Sequence, residues 1–206
     1  MQVLMINGSP NAKGCTYTAL SEVAGQLEQQ GIGVEIVHIG DQAIQPCTGC
    51  AACADSGYCI HDDDAVNTCI DLARKADGLV VGSPVYYAAP NGALCSFLDR
   101  MFFRKSAAYA YKPAAAVVNC RRGGASASFD RLNKYFTISS MPVVSSQYWN
   151  ATHGLTPEQV RQDVEGMQIM RTLGRNMAWL LKCIEAAKAT VPYPEREAPT
   201  MTNFIR

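Results

Sequence analysis

The sequence predicts a single α/β domain built on a parallel sheet of five strands with helices on both faces. Three observations predict it. Apolar runs of strand length alternate with helical 3.6-residue periods, glycine and proline punctuate the junctions, and 206 residues suit one hydrophobic core. Alternation of this kind implies right-handed crossovers, and in such open sheets a ligand sits outside the carboxyl ends of the strands, where their order reverses.

Residues 3–6 are a short apolar run ending in Asn7-Gly8-Ser9-Pro10, a buried strand that delivers the chain into a turn. From residue 16 to about 30, Leu20, Val23, Ala24 and Leu27 recur at helical spacing, and Gly31 supplies the stop. Residues 34–39 read as the second strand. Residues 40–61 have no apolar period and carry Cys47, Cys50, Cys53 and Cys59, which marks a long functional loop. Asp62 is placed to cap a helix that starts there and runs to about residue 76. The third strand, residues 79–82, opens into Ser83-Pro84-Val85-Tyr86-Tyr87. Leu94, Phe97, Leu98 and Met101 give the next helix its apolar face; a strand over 113–120 and a helix over 129–138 follow. Pro142-Val143-Val144 reads as a short fifth strand, and Thr156-Pro157-Glu158 as the capped start of a helix continuing to about residue 187. Pro192, Pro194 and Pro199 then predict a non-helical arm over the body or over a partner subunit, so the division is a domain over 1–190 and an arm over 191–206.

Lys+Arg and Asp+Glu each total 18, so no net field draws the chain to nucleic acid or an anionic membrane. The amino-terminal residues lack the pattern of a signal peptide, which makes the cytoplasm the expected compartment. Nine cysteines, an odd count in a reducing compartment, point to metal or redox chemistry rather than a disulfide framework.

The stretch from Gly8 to Thr18 joins strand to helix through small, hydroxyl-bearing residues. Helix amides with the hydroxyls of Ser9, Thr16 and Thr18 make a phosphate seat. Neither the Walker A pattern nor Gly-x-Gly-x-x-Gly is present. After the third strand, two aromatics and two prolines stiffen a loop suited to lie along a flat ring, with one of Tyr86 and Tyr87 expected to face the core.

Cys47, Cys50, Cys53 and Cys59 crowd four thiols into one loop, enough for the four corners of a [4Fe–4S] cluster, as in compact ferredoxin-type runs. Zinc is a rival with less suitable spacing, and free thiols are the third reading. Cys69, Cys95, Cys120 and Cys183 fall in helices or strands and read as small buried hydrophobes. Asp62-Asp63-Asp64 reads as a capping run, and none of His38, His61 and His153 as a ligand or base.

Over most of residues 1–140 the chain resembles the NAD(P)H-dependent FMN reductase and flavodoxin-like flavoprotein family. Three blocks carry the resemblance: Asn7-Gly8-Ser9-Pro10 with Gly14-x-Thr16, then Gly82-Ser83-Pro84-Val85-Tyr86 with Leu98-Asp99-Arg100, then Gly123-Gly124. The resemblance implies a flavodoxin-like sheet of order 2-1-3-4-5. It implies FMN held by Ser9, Asn11, Thr16, Tyr17 and Thr18 at the phosphate, by Pro84, Val85, Tyr86 and Tyr87 along the ring, and by Arg121, Gly123 and Gly124 at its polar edge. Arg121-Arg122 departs from the small residues common there: a guanidinium at that place suits the pyrimidine end of reduced flavin or a nucleotide phosphate, and two solvated surface charges are the alternative. The cysteine spacing resembles the iron–sulfur flavoprotein branch. The implied function is an FMN oxidoreductase taking hydride from NAD(P)H and passing electrons to a small-molecule acceptor or redox protein. An iron–sulfur electron carrier is the alternative, and a redox sensor with a partner protein the third class. A homodimer or homotetramer is implied, with subunit contacts at residues 94–101 and at the cysteine loop.

Overall fold

The computed structural model describes residues 1–104, 106–198, 200–202 and 204. Pro199 and part of the expected carboxy-terminal arm lie outside the described residues. The elements are β1 (Gln2–Asn7), α1 (Cys15–Gln29), β2 (Gly33–His38), α2 (Cys53–Ser56), α3 (Val66–Lys75), β3 (Gly78–Tyr86), β4 (Ala89–Pro90), α4 (Gly92–Phe102), a 3-10 turn (Ser106–Tyr109), β5 (Ala114–Cys120), α5 (Ala125–Ile138), β6 (Ala151–His153), α6 (Pro157–Gln162) and α7 (Val164–Ala187). The sheet runs β2-β1-β3-β5-β6, with β4 attached to β3 as an antiparallel hairpin arm. Without that arm this is the expected five-stranded parallel order 2-1-3-4-5. Every other strand pairing is parallel.

Strand alternation sorts the core into two layers. Leu4 and Ile6 of β1, Leu79 and Val81 of β3, and Ala114, Ala116 and Val118 of β5 pack toward α3, α4 and α5. Val3, Met5, Val80, Ala115 and Val117 face α1 and α7. Leu94, Phe97, Leu98 and Met101 are fully buried in the chain's own core, so the apolar face of α4 is taken up inside the domain, and Cys95, Ser96 and Asp99 are among the partly exposed residues of the same helix.

Four local expectations are corrected. Pro142-Val143-Val144 is not a strand: it makes a single bridge from Val143 to Ala114, and the fifth parallel strand is Ala151–His153, because Pro142 lacks a donor N–H and the chain leaves the sheet after Val144. The carboxy-terminal helix is two helices, broken at Asp163, whose carboxylate accepts from Gly166 N at 2.9 Å and His153 N at 2.7 Å. Asp62 does not cap α3; the helix begins at Val66, whose N–H donates to Asp64 Oδ1 at 3.0 Å. Finally α5 begins at Ala125 rather than 129, directly behind the left-handed Gly124. The residues after Val191 that are described are non-helical, and Tyr193 stacks on Tyr111 with ring centroids 5.3 Å apart. No helix among the described residues is long and apolar enough to cross a membrane.

Candidate functional site

All the loops in question leave the carboxyl edge of the sheet, and the first is built from within. Asn7 is fully buried. Its amide donates to Ala12 O at 3.1 Å and accepts from Ser9 N at 3.1 Å, which folds residues 8–13 back over the strand end. Ser9 Oγ accepts from Asn11 N at 3.2 Å, and His38 Nε2 lies 2.8 Å from Ser9 O. The loop closes on α1, whose amino terminus has no side-chain cap and no acid in its first turn. Thr16 stands there 1% exposed, its Oγ1 buried without a partner. Unpaired helix amides beside a buried orphan hydroxyl are what a phosphate group would complete. Thr18 donates its hydroxyl to Gly14 O at 3.1 Å, and the Tyr17 hydroxyl accepts from Lys13 Nζ at 2.8 Å, which holds that phenol below its ordinary pKa.

The second loop is a β-hairpin that the sequence did not disclose. Tyr86 pairs with Ala89, leaving Tyr87 and Ala88 as the two-residue turn at φ 51° and 60°. A turn with both residues in the left-handed region normally takes Asn or Gly, so the chain holds strain of ~1–3 kcal/mol per residue here. Neither tyrosine faces the core: Tyr86 is 45% exposed and Tyr87 wholly so. The core side of the hairpin is filled instead by Pro90 and Asn91, and the Asn91 side chain caps α4 through Leu94 N at 3.1 Å.

Gly8 N donates to Gly82 O at 2.9 Å, which carries the β1–β3 pairing to the mouth of the first loop. Gly124, at φ +89°, fits so close to the hairpin that a Cβ would lie 2.6 Å from Ala88 Cα and 2.9 Å from Val85 Cγ1, joining the second loop to the third. Beyond Gly124 opens a cavity of about 400 Å³. Arg122, Gly123 and Gly124 form one wall, Phe129 and Ile169 the floor, and Tyr148 and Trp149 the far side. Arg121 is exposed and stands outside this lining.

The four loop cysteines also converge. Cys47, Cys50, Cys53 and Cys59 line one small cavity with Ile60, His61, Arg100 and Phe103. Among the described residues, no three Cys, His, Asp or Glu side chains are drawn in tightly enough to hold a single metal ion. Thiolates ~2.3 Å from one zinc would have to close much nearer to a point than a cavity wall does. His61 Nε2 is buried without a partner at this cavity, a donor or acceptor that an enclosed group would satisfy.

Side chains that sequence reasoning passed over hold this loop. Asn67 of α3 clamps Cys59 through both its backbone groups, accepting from N at 2.8 Å and donating to O at 2.9 Å. Arg74 Nη2 donates to Gly57 O at 2.9 Å. Arg100 of α4, 1% exposed, reaches Cys59 Sγ, Gln45 O, His61 O and both carboxylate oxygens of Asp64. Burial alone would lower the Arg100 pKa, but the hydrogen bonds to Asp64 and Cys59 outweigh it and hold it above its ordinary value. The available signal was the run Leu98-Asp99-Arg100, in which only tertiary packing makes the arginine an interior group.

With this geometry in place, a family model described as NADPH-dependent FMN reductase matches residues 1–156. The chain is 30% identical over 193 residues to an iron–sulfur flavoprotein of Methanocaldococcus jannaschii, covering 90% of this chain and 100% of that one. It is 30% identical over 198 residues to an iron–sulfur flavoprotein of Archaeoglobus fulgidus, covering 92% and 97%. Among solved structures, a flavodoxin from the domain Archaea matches in fold with TM-score 0.60 at 14% identity, over 88% of this chain and 99% of that one.

Proposed function

Since the chain belongs to the NADPH-dependent FMN reductase family, we propose that it is an FMN oxidoreductase whose cysteine loop carries a second redox centre, a [4Fe–4S] cluster. The observation that carries the reading is the convergence of Cys47, Cys50, Cys53 and Cys59 on one cavity, on a chain whose α1 amino terminus is also left without a side-chain cap. The α1 amides, Ser9 and Thr16 would hold the phosphate, with Asn11, Tyr17 and Thr18 shaping the rest of the loop. Pro84, Val85, Tyr86 and Tyr87 would line the ring, and Gly123-Gly124 would approach its edge with backbone alone, assisted by Arg121 or Arg122. FMN, when bound, supplies the one- and two-electron chemistry that lets pair donors meet single-electron acceptors. The protein's part is to orient the ring, exclude water on one side and place thiol ligands where α3 and α4 keep them fixed.

Visible spectra of protein purified without oxygen, with iron and labile sulfide assayed on the same sample, test this. Flavin bands over a broad iron–sulfur shoulder, with about four irons per chain, are the expected result. Flavin with no iron would remove the second centre and leave the reductase reading.

That second reading, NAD(P)H as donor to FMN, is favoured by the aromatic-walled cavity beside Gly123-Gly124, whose size suits a nicotinamide or a small oxidant. Bleaching of bound FMN by NADPH or NADH under anaerobic conditions tests it. A flavin that stays oxidised with both would make the protein a carrier reduced by another redox protein.

Thr16 offers a separate test of the phosphate seat. Because its hydroxyl is buried and unpartnered, Thr16→Val is expected to leave the apoprotein as stable as wild type or slightly more so. FMN affinity should fall by roughly ten- to a hundredfold, the worth of one hydrogen bond to a charged group. Isothermal titration of apoprotein with FMN and with riboflavin separates the terms: only FMN should lose affinity.

A further inference from the structure

Granted the four-cysteine reading of the loop, we infer that Arg100 is a positioning residue whose Nε–H, directed at Cys59 Sγ, raises the midpoint potential of an iron–sulfur centre held there. An arginine in a helix normally keeps its head in water. This one is 1% exposed, and its guanidinium is engaged on every nitrogen. Nε donates to Cys59 Sγ at 3.2 Å, Nη1 to Gln45 O at 3.3 Å and to Asp64, and Nη2 to His61 O at 2.6 Å and Asp64 Oδ1 at 3.2 Å. One rigid planar group therefore ties residues 45, 59, 61 and 64 to α4.

The two functions of the group separate by atom. The Nη nitrogens meet the Asp64 carboxylate and the loop carbonyls, which is sufficient to hold the loop and neutralise the charge. Nε makes no contribution to that pairing and is aimed at sulfur. A hydrogen bond to a ligating sulfur stabilises the more negative, reduced state of a cluster and so raises its potential. Lysine would retain the charge beside Asp64 but not the fork that serves carboxylate and sulfur at once.

The test compares the full-length wild type with Arg100→Lys and Arg100→Met, each reconstituted anaerobically with FMN, iron and sulfide. Iron and sulfide are counted, and the flavin and cluster couples are followed in one redox titration by visible and electron paramagnetic resonance spectra. Equal iron in wild type and Arg100→Lys, with the cluster midpoint shifted to lower potential in Lys, further in Met, and the flavin midpoint unmoved, is the expected result. Equal iron with an unmoved cluster midpoint in Arg100→Lys would overturn the role of Arg100 and leave the cluster standing. A shift shared equally by the flavin couple would also overturn it, as general loosening. Should Arg100→Met fail to fold, the lysine variant decides alone. Wild type that takes up no iron would overturn both the cluster and the role.

Discussion

Gly40→Ala is expected to abolish tight FMN binding although residue 40 lies outside the phosphate loop. A Cβ at Gly40 would sit 1.8 Å from Ser9 O and 2.7 Å from Pro10 N, both backbone atoms, so the loop must move rather than a side chain rotate. That displacement also breaks the contact of His38 Nε2 with Ser9 O at 2.8 Å, and it carries Ser9 away from the amino terminus of α1. Losing two charge-assisted hydrogen bonds to a phosphate, at ~1.5–3 kcal/mol each, lowers affinity by roughly two to four orders of magnitude. Riboflavin, which lacks the phosphate, should lose far less. The strand pairings of β1 lie on the other side of Asn7, so circular dichroism should report an intact fold. Unchanged FMN affinity in a folded variant would place the phosphate elsewhere.

The second large effect is expected at Asp64. Its side chain and that of Arg100 are 2% and 1% exposed, so Asp64→Ala leaves a buried guanidinium without its carboxylate. Removing one member of a buried pair costs about 3–5 kcal/mol, a large share of a domain's stability. The same substitution at Asp62 or Asp63, both exposed, should fall within about 0.5 kcal/mol of wild type. Denaturant unfolding of the three variants checks this directly. Three similar midpoints would show that the pair contributes no more than a surface ion pair.

These two positions also mark how far the sequence was legible. The segment proposed to seat the phosphate was readable because it is local: a strand, a glycine- and hydroxyl-rich turn and a helix follow one another within some fifteen residues, and periodicity sees such segments. His38 at the end of the adjacent strand and Gly40 just past it back this loop from behind, and their contacts with Ser9 span about thirty residues. The cysteine loop was readable from spacing, but Asp64 looked like one of three equivalent acids and Arg100 entered only as the end of the Leu98-Asp99-Arg100 run. Only the packing of α4 against the loop distinguishes them. The fifth strand was misplaced because Val143-Val144 has the stronger strand composition, whereas pairing with β5 selects the more polar Ala151-Thr152-His153. The hairpin after β3 escaped notice because Tyr87 and Ala88 are poor residues for a turn in the left-handed region.

The interrupted fifth strand has a consequence for how this scaffold can be altered. Val143 is matched to Ala114 and Ala151 to Val118, so eight residues on one side answer four on the other, and the surplus carries Tyr148 and Trp149 out over the large cavity. Because both ends of the detour are fastened to β5, its length and aromatic content can vary without slipping the sheet. The detour behaves as an exchangeable cartridge: laboratory libraries confined to residues 146–149, between Ser145 and the buried, β5-bonded Asn150, would resize the mouth of the cavity while the first loop, the hairpin and the cysteine loop stay in register.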